Sequence, residues 1–506
     1  MRFGSHHLTL GVVLAAAVCA CSSKAAEEET KQPIASGRLP HIVLILADDL
    51  GYGDLSCLNP DSKIQTPNLD QLAREGMVFT DAHTPSSVCT PTRYGLLTGR
   101  YAWRTRLKSG VLLGFDRPLI EPGRLTLASL LKARGYATAA IGKWHLGLGW
   151  QSPQGTPVTD KDNTTDDPGV DYTRPITEGP LTVGFDYFFG IAASLDMAPY
   201  CYIENDRVTA IPQEPTKGQA FPENWRPGNK SADFEHDQVL PVLTEKAINW
   251  LTQKRQSAPE EPLFLYFPLT APHTPVLPLP EFRGKSQAGE YGDFVVQVDH
   301  VAGQILKAID RLGMRDDTLF IFTSDNGSTM TIRPFFQQYQ HATNYHFRGQ
   351  KSDIWEGGHR VPFLVRWPGY IRPGSVCNQT ISLTDCLATF AELVSMPLGD
   401  TAGEDSFSFL PLLENPNAPF QRAPVIMHSI AGFFAIRDGD WKLLECRGSG
   451  GWSLPENKVP KDAPPKQLYN LKDDIGEQKN LLQEYPDIVE RLQERLEKIR
   501  NSERSH

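Results

Sequence analysis

Cys89, Pro91 and Arg93 fall on alternate positions of CTPTRYGLLTGR (89–100), the stretch of this chain best equipped for chemistry. A helix beginning at Cys89 sets the thiol beside free backbone N–H groups and the positive end of the helix dipole, a setting that favours anionic chemistry. Pro91 suits the first turn, where its missing N–H costs nothing, and Arg93, one turn on, faces the same side as Cys89. A thiol beside a fixed cation can act as a nucleophile; a small buried thiol on a structural helix has the same spacing.

Further polar groups follow apolar, strand-like runs, and in an open α/β sheet ligands bind outside the carboxyl ends of the strands. Asp48 and Asp49 follow HIVLILA (41–47), and Asp325 and Asn326 follow LFIFTS (319–324). Adjacent carboxylates repel unless a cation lies between them, and these oxygen donors suit a hard divalent ion, although either pair alone is more often a helix cap or strand-end turn. Lys143 and His145 lie in GKWHLG (142–147) after a run at 137–141. In an extended segment they point to one side and present a fixed charge with a titratable base. His273 stands between prolines in PHTP (272–275), which suits a positioned proton donor and equally a rigid loop. Lys351 lies in RGQKSDIWEGGHRVPFLVRWPG (348–369), where Glu356, Gly357, Gly358 and Arg360 are read as shaping the backbone.

The elements that must hold these groups follow from hydrophobic periodicity. Runs at 41–47, 137–141, 263–269, 319–323 and 362–366 predict buried strands, and 127–134, 237–254 and 293–312 predict helices. In the last, Phe294, Val298, Val301, Ile305, Ile309 and Leu312 recur at helical spacing and Gly313 supplies a stop. This alternation predicts an α/β sandwich around a mostly parallel sheet. Polar segments at 151–181, 213–236 and 327–349 are too long for simple connections and read as rim loops around a site. From about 416 the pattern changes to short strands in VIMHSI, FFAIRDG and WKLLE with a closing helix at 487–500. The expected organisation is a main domain over 40–415 and a smaller C-terminal α+β subdomain with an antiparallel sheet over 416–506.

Composition sets limits. A chain of 506 residues with 22% charged and 40% hydrophobic residues reads as a soluble globular enzyme, and its net charge of −10 argues against a nucleic-acid partner. An anionic substrate therefore needs a local cluster of cations. Arg2 precedes an apolar stretch at 8–18, shorter than the ~20 residues that span a bilayer but suited to a signal peptide. It ends at Cys19-Ala20-Cys21, which is similar to a bacterial lipoprotein cleavage site, so 1–21 is expected to be a lipoprotein-type signal segment with Cys21 as the residue that carries the lipid, and 22–39 to be a flexible tether. An exported protein anchored only by that lipid, periplasmic or on the cell surface, follows. With Cys19, Cys21 and Cys89 set aside, five cysteines remain and cannot all pair, so this is no disulfide framework.

The signature at 89–100 resembles that of the formylglycine-dependent type I sulfatases, Cys-x-Pro-x-Arg followed by Leu-x-Thr-Gly-Arg, matched at Cys89, Pro91, Arg93, Leu96, Thr98, Gly99 and Arg100. The blocks ADDLGYGD (47–54), GKWHLG, Pro-His-x-Pro, TSDNG (323–327) and Gly-x-Lys…Glu-Gly-Gly-x-Arg-x-Pro-Phe are similar to the family's too, with Gln350 at a position it varies. The likeness continues through GFDYFFG (184–190) and QLYNLKDDIGEQKNL (467–481), nearly the whole mature chain.

That resemblance implies a maturation enzyme, formylglycine-generating or radical-type, which oxidises Cys89 to an aldehyde whose hydrate attacks sulfur. It implies Ca²⁺, with Mg²⁺ as the alternative, on Asp48, Asp49, Asp325, Asn326 and an oxygen of modified Cys89. Arg93 joins the positive field, Lys143 contacts nucleophile and sulfate, and Lys351 binds sulfate. His145 takes a proton from the hydrate and His273 protonates the leaving alcohol. ASLDMAPYCYIENDRV (193–208), MHSIAGFFAIRDGDWKLL (427–444) and RGSGGWS (447–453) look similar to segments of carbohydrate sulfatases related to N-acetylgalactosamine-6-sulfatase, making Asp196, His428 and Trp452 candidate sugar contacts. The expected substrate is a sulfated glycan, desulfated by exo action at O6 of galactose or N-acetylgalactosamine. A phosphate or phosphonate ester hydrolase of the same alkaline phosphatase superfamily and a non-catalytic glycan-binding lipoprotein are the alternatives.

Overall fold

A strand buried on both faces must be apolar at consecutive positions, and Ile42 to Ala47 are wholly buried in the strand His41–Asp48 at the centre of the molecule. In this computed structural model, which describes residues 1, 2, 4, 39–158, 167–219, 224–329 and 333–505, that strand belongs to a ten-stranded sheet. Cys21 and, apart from residues 1, 2, 4 and 39, the expected signal peptide and tether lie outside the described residues, as do parts of the three polar segments.

From one edge the sheet runs Ser375–Cys377, Met77–Phe79, Phe363–Arg366, Thr318–Ser324, His41–Asp48, Leu263–Pro272, Ala137–Lys143, Tyr187–Ile191, Ile203–Glu204 and Arg207–Val208. Thr318–Ser324 through Tyr187–Ile191 are mutually parallel, and Phe363–Arg366 pairs antiparallel to Thr318–Ser324. All the expected interior strands are therefore present. The short strands Met77–Phe79, Ser375–Cys377 and Tyr187–Ile191 were not expected, since so few residues carry little periodic signal.

Helices Val239–Ser257 and Gly289–Arg311 pack together over the Leu263–Pro272 strand. The latter begins four residues before the predicted 293, because Asp293 accepts backbone N–H groups of Gly284 and Ser286 from inside the helix instead of capping it. No helix among the described residues is long and apolar enough to cross a membrane.

A separate antiparallel sheet has the order Val425–His428, Phe434–Asp438, Trp441–Leu444, Gln467–Asn470. Helix Pro486–Asn501 buries Leu492, Leu496 and Ile499 against Ile426, Ile436, Leu443 and against Tyr101 and Trp103, which follow the helix at 89–98. A buried ionic network also ties the small sheet to the helix Glu356–His359 and to Asp81. Lys442 Nζ lies 3.0 Å from Glu356 Oε1, 2.9 Å from Glu477 Oε1 and 2.9 Å from His359 Nε2, while Arg437 Nη1 meets Asp81 Oδ1 at 2.6 Å. His83, Glu356 and His359 are donor types that could hold a metal, but here Lys442 and Arg437 supply the positive charge. Lys442→Met should leave Glu356 and Glu477 buried beside each other without that cation and destabilise the protein by about 3–5 kcal/mol. Denaturant unfolding checks this; a loss below about 1 kcal/mol would show that the network contributes no more than a surface pair.

Candidate active site

The site lies where the parallel strands end. Helix Cys89–Thr98 is buried along its whole length and starts after Val88, whose side chain offers no cap, so its first N–H groups have no side-chain cap and the dipole bears on Cys89. Arg93 projects from the next turn: its Nη2 lies 2.6 Å from Asp325 Oδ2 and 3.4 Å from Asp48 Oδ1, and its Nη1 donates to the Lys143 carbonyl at 3.1 Å.

Consecutive strand residues face opposite sides, which would separate Asp48 from Asp49. Asp49 instead adopts a left-handed backbone, φ 62°, held by its N–H on Asp325 Oδ1 at 3.1 Å. Both carboxylates thus stay at the strand end: Asp48 takes Lys143 Nζ at 2.7 and 2.9 Å, and Asp49 takes Lys351 Nζ at 2.8 and 3.0 Å. An irregularity between Leu46 and Asp48 sets Asp48 opposite Pro272, bringing His273 alongside, its Nε2 3.7 Å from Asp49 Oδ2.

Lys143 and His145 do not share an extended segment. The strand ends at Lys143, and His145 turns back with φ 56°. Gly142 makes the approach possible, since a Cβ there would lie 1.9 Å from the Pro268 carbonyl oxygen. His145 Nε2 bonds the Leu112 carbonyl at 2.6 Å, fixing the ring with Nδ1 buried and without a hydrogen-bond partner. Leu112 N–H in turn donates to Thr90 Oγ1 at 3.1 Å, so the residue after Cys89 orients the loop that orients His145. No local signal marked Thr90 or Leu112. Ser194 was also missed: its Oγ lies 3.3 Å from both Lys143 Nζ and His273 Nδ1. It follows the Tyr187–Ile191 strand, and recognising that strand would have flagged it by the same strand-end rule.

Burial tends to raise Asp48, but Lys143, His273, Arg93 and Lys351 outweigh it and hold the carboxyl well below the usual range. Burial and the nearby Asp48 charge push Asp325 up to about 6 despite Arg93. Lys351 is lifted above the ordinary ammonium range because Asp49 and its neighbours outweigh burial. Burial, then Lys143 and Arg93, keep His145 far below the ordinary imidazole value, so it is neutral at physiological pH. Cys89 is pushed up by burial although Lys143 and Lys351 pull the other way, so the geometry holds a thiol rather than a thiolate.

The oxygen donors fit a hard divalent cation. Asp48, Asp49, Asp325 and Asn326 are buried together, Asp48 and Asp325 repel each other, and Asn326 Oδ1 is buried with no hydrogen-bond partner while its Nδ2 donates to Asp49 Oδ1 at 2.7 Å. Ligand atoms of Asp48, Asp49 and His273 also lie within 4.8 Å of one another.

The sugar candidates separate. Asp196, two residues past Ser194, takes Arg226 Nη1 at 2.8 Å on Oδ2, while Oδ1 is buried and unpartnered. His428 is buried, its Nε2 on the Lys108 carbonyl at 2.8 Å and its own carbonyl taking Ser87 N–H at 3.0 Å, just before Cys89. Trp452 is 51% exposed, and its N–H donates to Ser352 Oγ at 2.9 Å, next to Lys351. Loops of the small sheet thus form part of the rim.

The family model described as Sulfatase matches residues 40–396. The chain belongs to the sulfatase family. This sulfatase is 33% identical over 502 residues to an N-acetylgalactosamine-6-O-sulfatase of Bacteroides thetaiotaomicron, covering 91% of this chain and 93% of that protein. It is 33% identical to arylsulfatase A of Homo sapiens over 483 residues, 89% of this chain and 84% of the other. A solved structure from work on glycosaminoglycan metabolism by Bacteroides thetaiotaomicron superposes with a TM-score of 0.79 at 32% identity, over 92% of this sulfatase and all of that chain. The sulfatase is a sulfuric ester hydrolase, and members of its family generally use a formylglycine and a divalent metal.

Proposed function

We propose that this sulfatase removes the 6-O-sulfate from terminal galactose or N-acetylgalactosamine of sulfated glycans, acting from the chain end. The observation that carries the reading is the convergence of three buried cations, Arg93, Lys143 and Lys351, around the Cys89 helix start, with exposed Trp452, tied through its backbone N–H to Ser352 next to Lys351, as a surface for a sugar ring. The relative named as an N-acetylgalactosamine-6-O-sulfatase, aligned along nearly its whole length, supports the choice of sugar.

The catalytic group is formylglycine made from Cys89 by a maturation enzyme; as a hydrate it supplies both a nucleophile and an internal route for releasing sulfate, which a plain Ser or Cys lacks. Asp48, Asp49, Asp325 and Asn326 would hold Ca²⁺, or Mg²⁺, which supplies positive charge next to the reacting oxygens. Arg93, Lys143 and Lys351 bind the sulfate oxygens and neutralise the charge that builds on them. His145, its Nε2 spent on Leu112, accepts a proton at Nδ1. His273 keeps Nδ1 against the Thr274 carbonyl, leaving Nε2 to deliver a proton to the departing alcohol, with Asp49 nearby to stabilise the charged ring. Export with a lipid on Cys21 completes the reading: the 8–18 stretch supports a leader, and a surface enzyme meets glycans outside the cell.

Matured enzyme incubated with defined mono- and disaccharides sulfated at O4 or O6 tests this. Free sulfate is expected from the 6-O-sulfated galactose and N-acetylgalactosamine compounds, and faster release from the 4-O-sulfated ones, or release of phosphate from nitrophenyl phosphate alone, would sink it. In the same assay His273→Ala should slow the sugar sulfates by about 100-fold more than nitrophenyl sulfate, whose leaving group needs no proton; equal losses would remove His273 as the acid.

A further inference from the structure

Behind the Lys351 loop lies a cavity of about 600 Å³ whose walls include Phe336, Tyr345, Phe347, Arg348, Trp355 and Ser453. Its size suits a small organic ligand, and its composition combines aromatic faces with one guanidinium. Phe336 is 44% exposed, and the Tyr345 and Phe347 ring centroids lie 5.9 Å apart. Such faces accept the apolar side of a sugar ring.

Arg348 is the unusual member. Its guanidinium stacks on the Trp355 ring at 3.7 Å, and its Nη1 donates to the Glu477 carbonyl at 2.6 Å and the Tyr469 hydroxyl at 3.3 Å. These contacts hold the group in place but offer no negative charge, and among the described residues no carboxylate pairs with it and Nε and Nη2 have no protein partner. Other little-exposed arginines, Arg93, Arg360, Arg366, Arg422 and Arg437, all have carboxylate partners. In a chain of net charge −10, a fixed, unneutralised guanidinium in a cavity wall is a place for an anion.

The cavity borders the loop that carries Lys351. Gly349 is in its wall, two residues from Lys351, so the two Cα atoms are within about 7 Å. Gln350 Nε2 donates to Ser453 Oγ at 3.2 Å, and Ser453 follows exposed Trp452, which is tied to Ser352. The geometry points to this cavity as the subsite for the sugar next to the sulfated one, an anionic sugar whose ring packs on Phe336, Tyr345 and Phe347 while Arg348 binds its carboxylate or second sulfate. The inference rests on the glycan reading above and extends it to the neighbouring residue.

The test compares kcat/KM on three 6-O-sulfated disaccharides that differ only in the neighbouring sugar, which is neutral, carries a carboxylate, or carries a second sulfate. Wild-type enzyme is expected to favour at least one anionic neighbour over the neutral one by about ten-fold, the worth of one charge-assisted hydrogen bond, and the two anionic arms tell which anion Arg348 takes. Arg348→Gln should bring that ratio to about one, and because each ratio is taken within one preparation, a partly folded variant does not distort it. Phe336→Ala, at an exposed position of the helix Arg333–Tyr339, should raise KM for all three disaccharides relative to the sulfated monosaccharide. Equal rates on the three in wild type, or an unchanged ratio in Arg348→Gln, overturns the subsite while leaving the sulfatase reading intact. Failure to desulfate any of these sugars overturns the glycan reading itself.

Discussion

Cys89→Ala abolishes sulfate release, by about 10⁴-fold or more, and leaves the fold intact. Removing the nucleophile of a covalent mechanism costs nearly all the rate, because the remaining cations bind the ester but nothing attacks it. The structural cost is small: Cys89 is a buried thiol at the first position of its helix, alanine is a good helix former, and the vacated volume is that of one sulfur, about 1 kcal/mol. Sulfate release, the thermal midpoint of both proteins and the mass of the wild-type peptide spanning 89–93 are the measurements. Ordinary turnover by the alanine variant, or an unmodified thiol in fully active wild type, would dispose of the formylglycine reading.

Asp325→Ala strips the site of its metal. The expected result is at least about ten-fold less bound divalent cation by elemental analysis, and at least about a 100-fold fall in activity. Asp325 does three jobs at once: it takes Arg93 at 2.6 Å, the Asp49 backbone N–H at 3.1 Å, and stands among the oxygens of Asp48, Asp49 and Asn326. Without it the left-handed turn at Asp49 loses its anchor, and Arg93 falls back on Asp48 at 3.4 Å. Asp325→Asn keeps the shape and separates charge from packing, since it should also lose metal while unfolding at nearly the wild-type midpoint. Undiminished metal in both variants would mean that the cation sits elsewhere.

Much of the sheet was legible because interior parallel strands are continuous apolar runs, and 41–47, 263–269 and 319–323 lie within observed strands. The antiparallel pairing of Phe363–Arg366 was not, since neighbours and their directions depend on which distant segments meet. The same division holds at the site. Asp48, Asp325, Lys143 and His273 were found by a local rule, polar groups at or just past strand ends. Ser194, Thr90 and Leu112 escaped it, because a serine after a short strand and a loop carbonyl carry no distinctive residue pattern.

Residue types and their short-range spacing settle which chemistry is on offer here: a cysteine at a helix start, paired carboxylates, and Lys143, His145 and His273 at the ends of apolar strand runs. Those features act within a few residues, so they can be read along the chain. The balance of charge among them could not, because Lys143 with Asp48, Lys351 with Asp49 and Arg93 with Asp325 join positions far apart in the chain. Folding also removes these groups from water, and that burial holds Cys89 as a thiol and His145 as a neutral base. Likewise Arg348 could be known to lack a carboxylate, and to border a cavity beside Lys351, only once the two sheets had packed together.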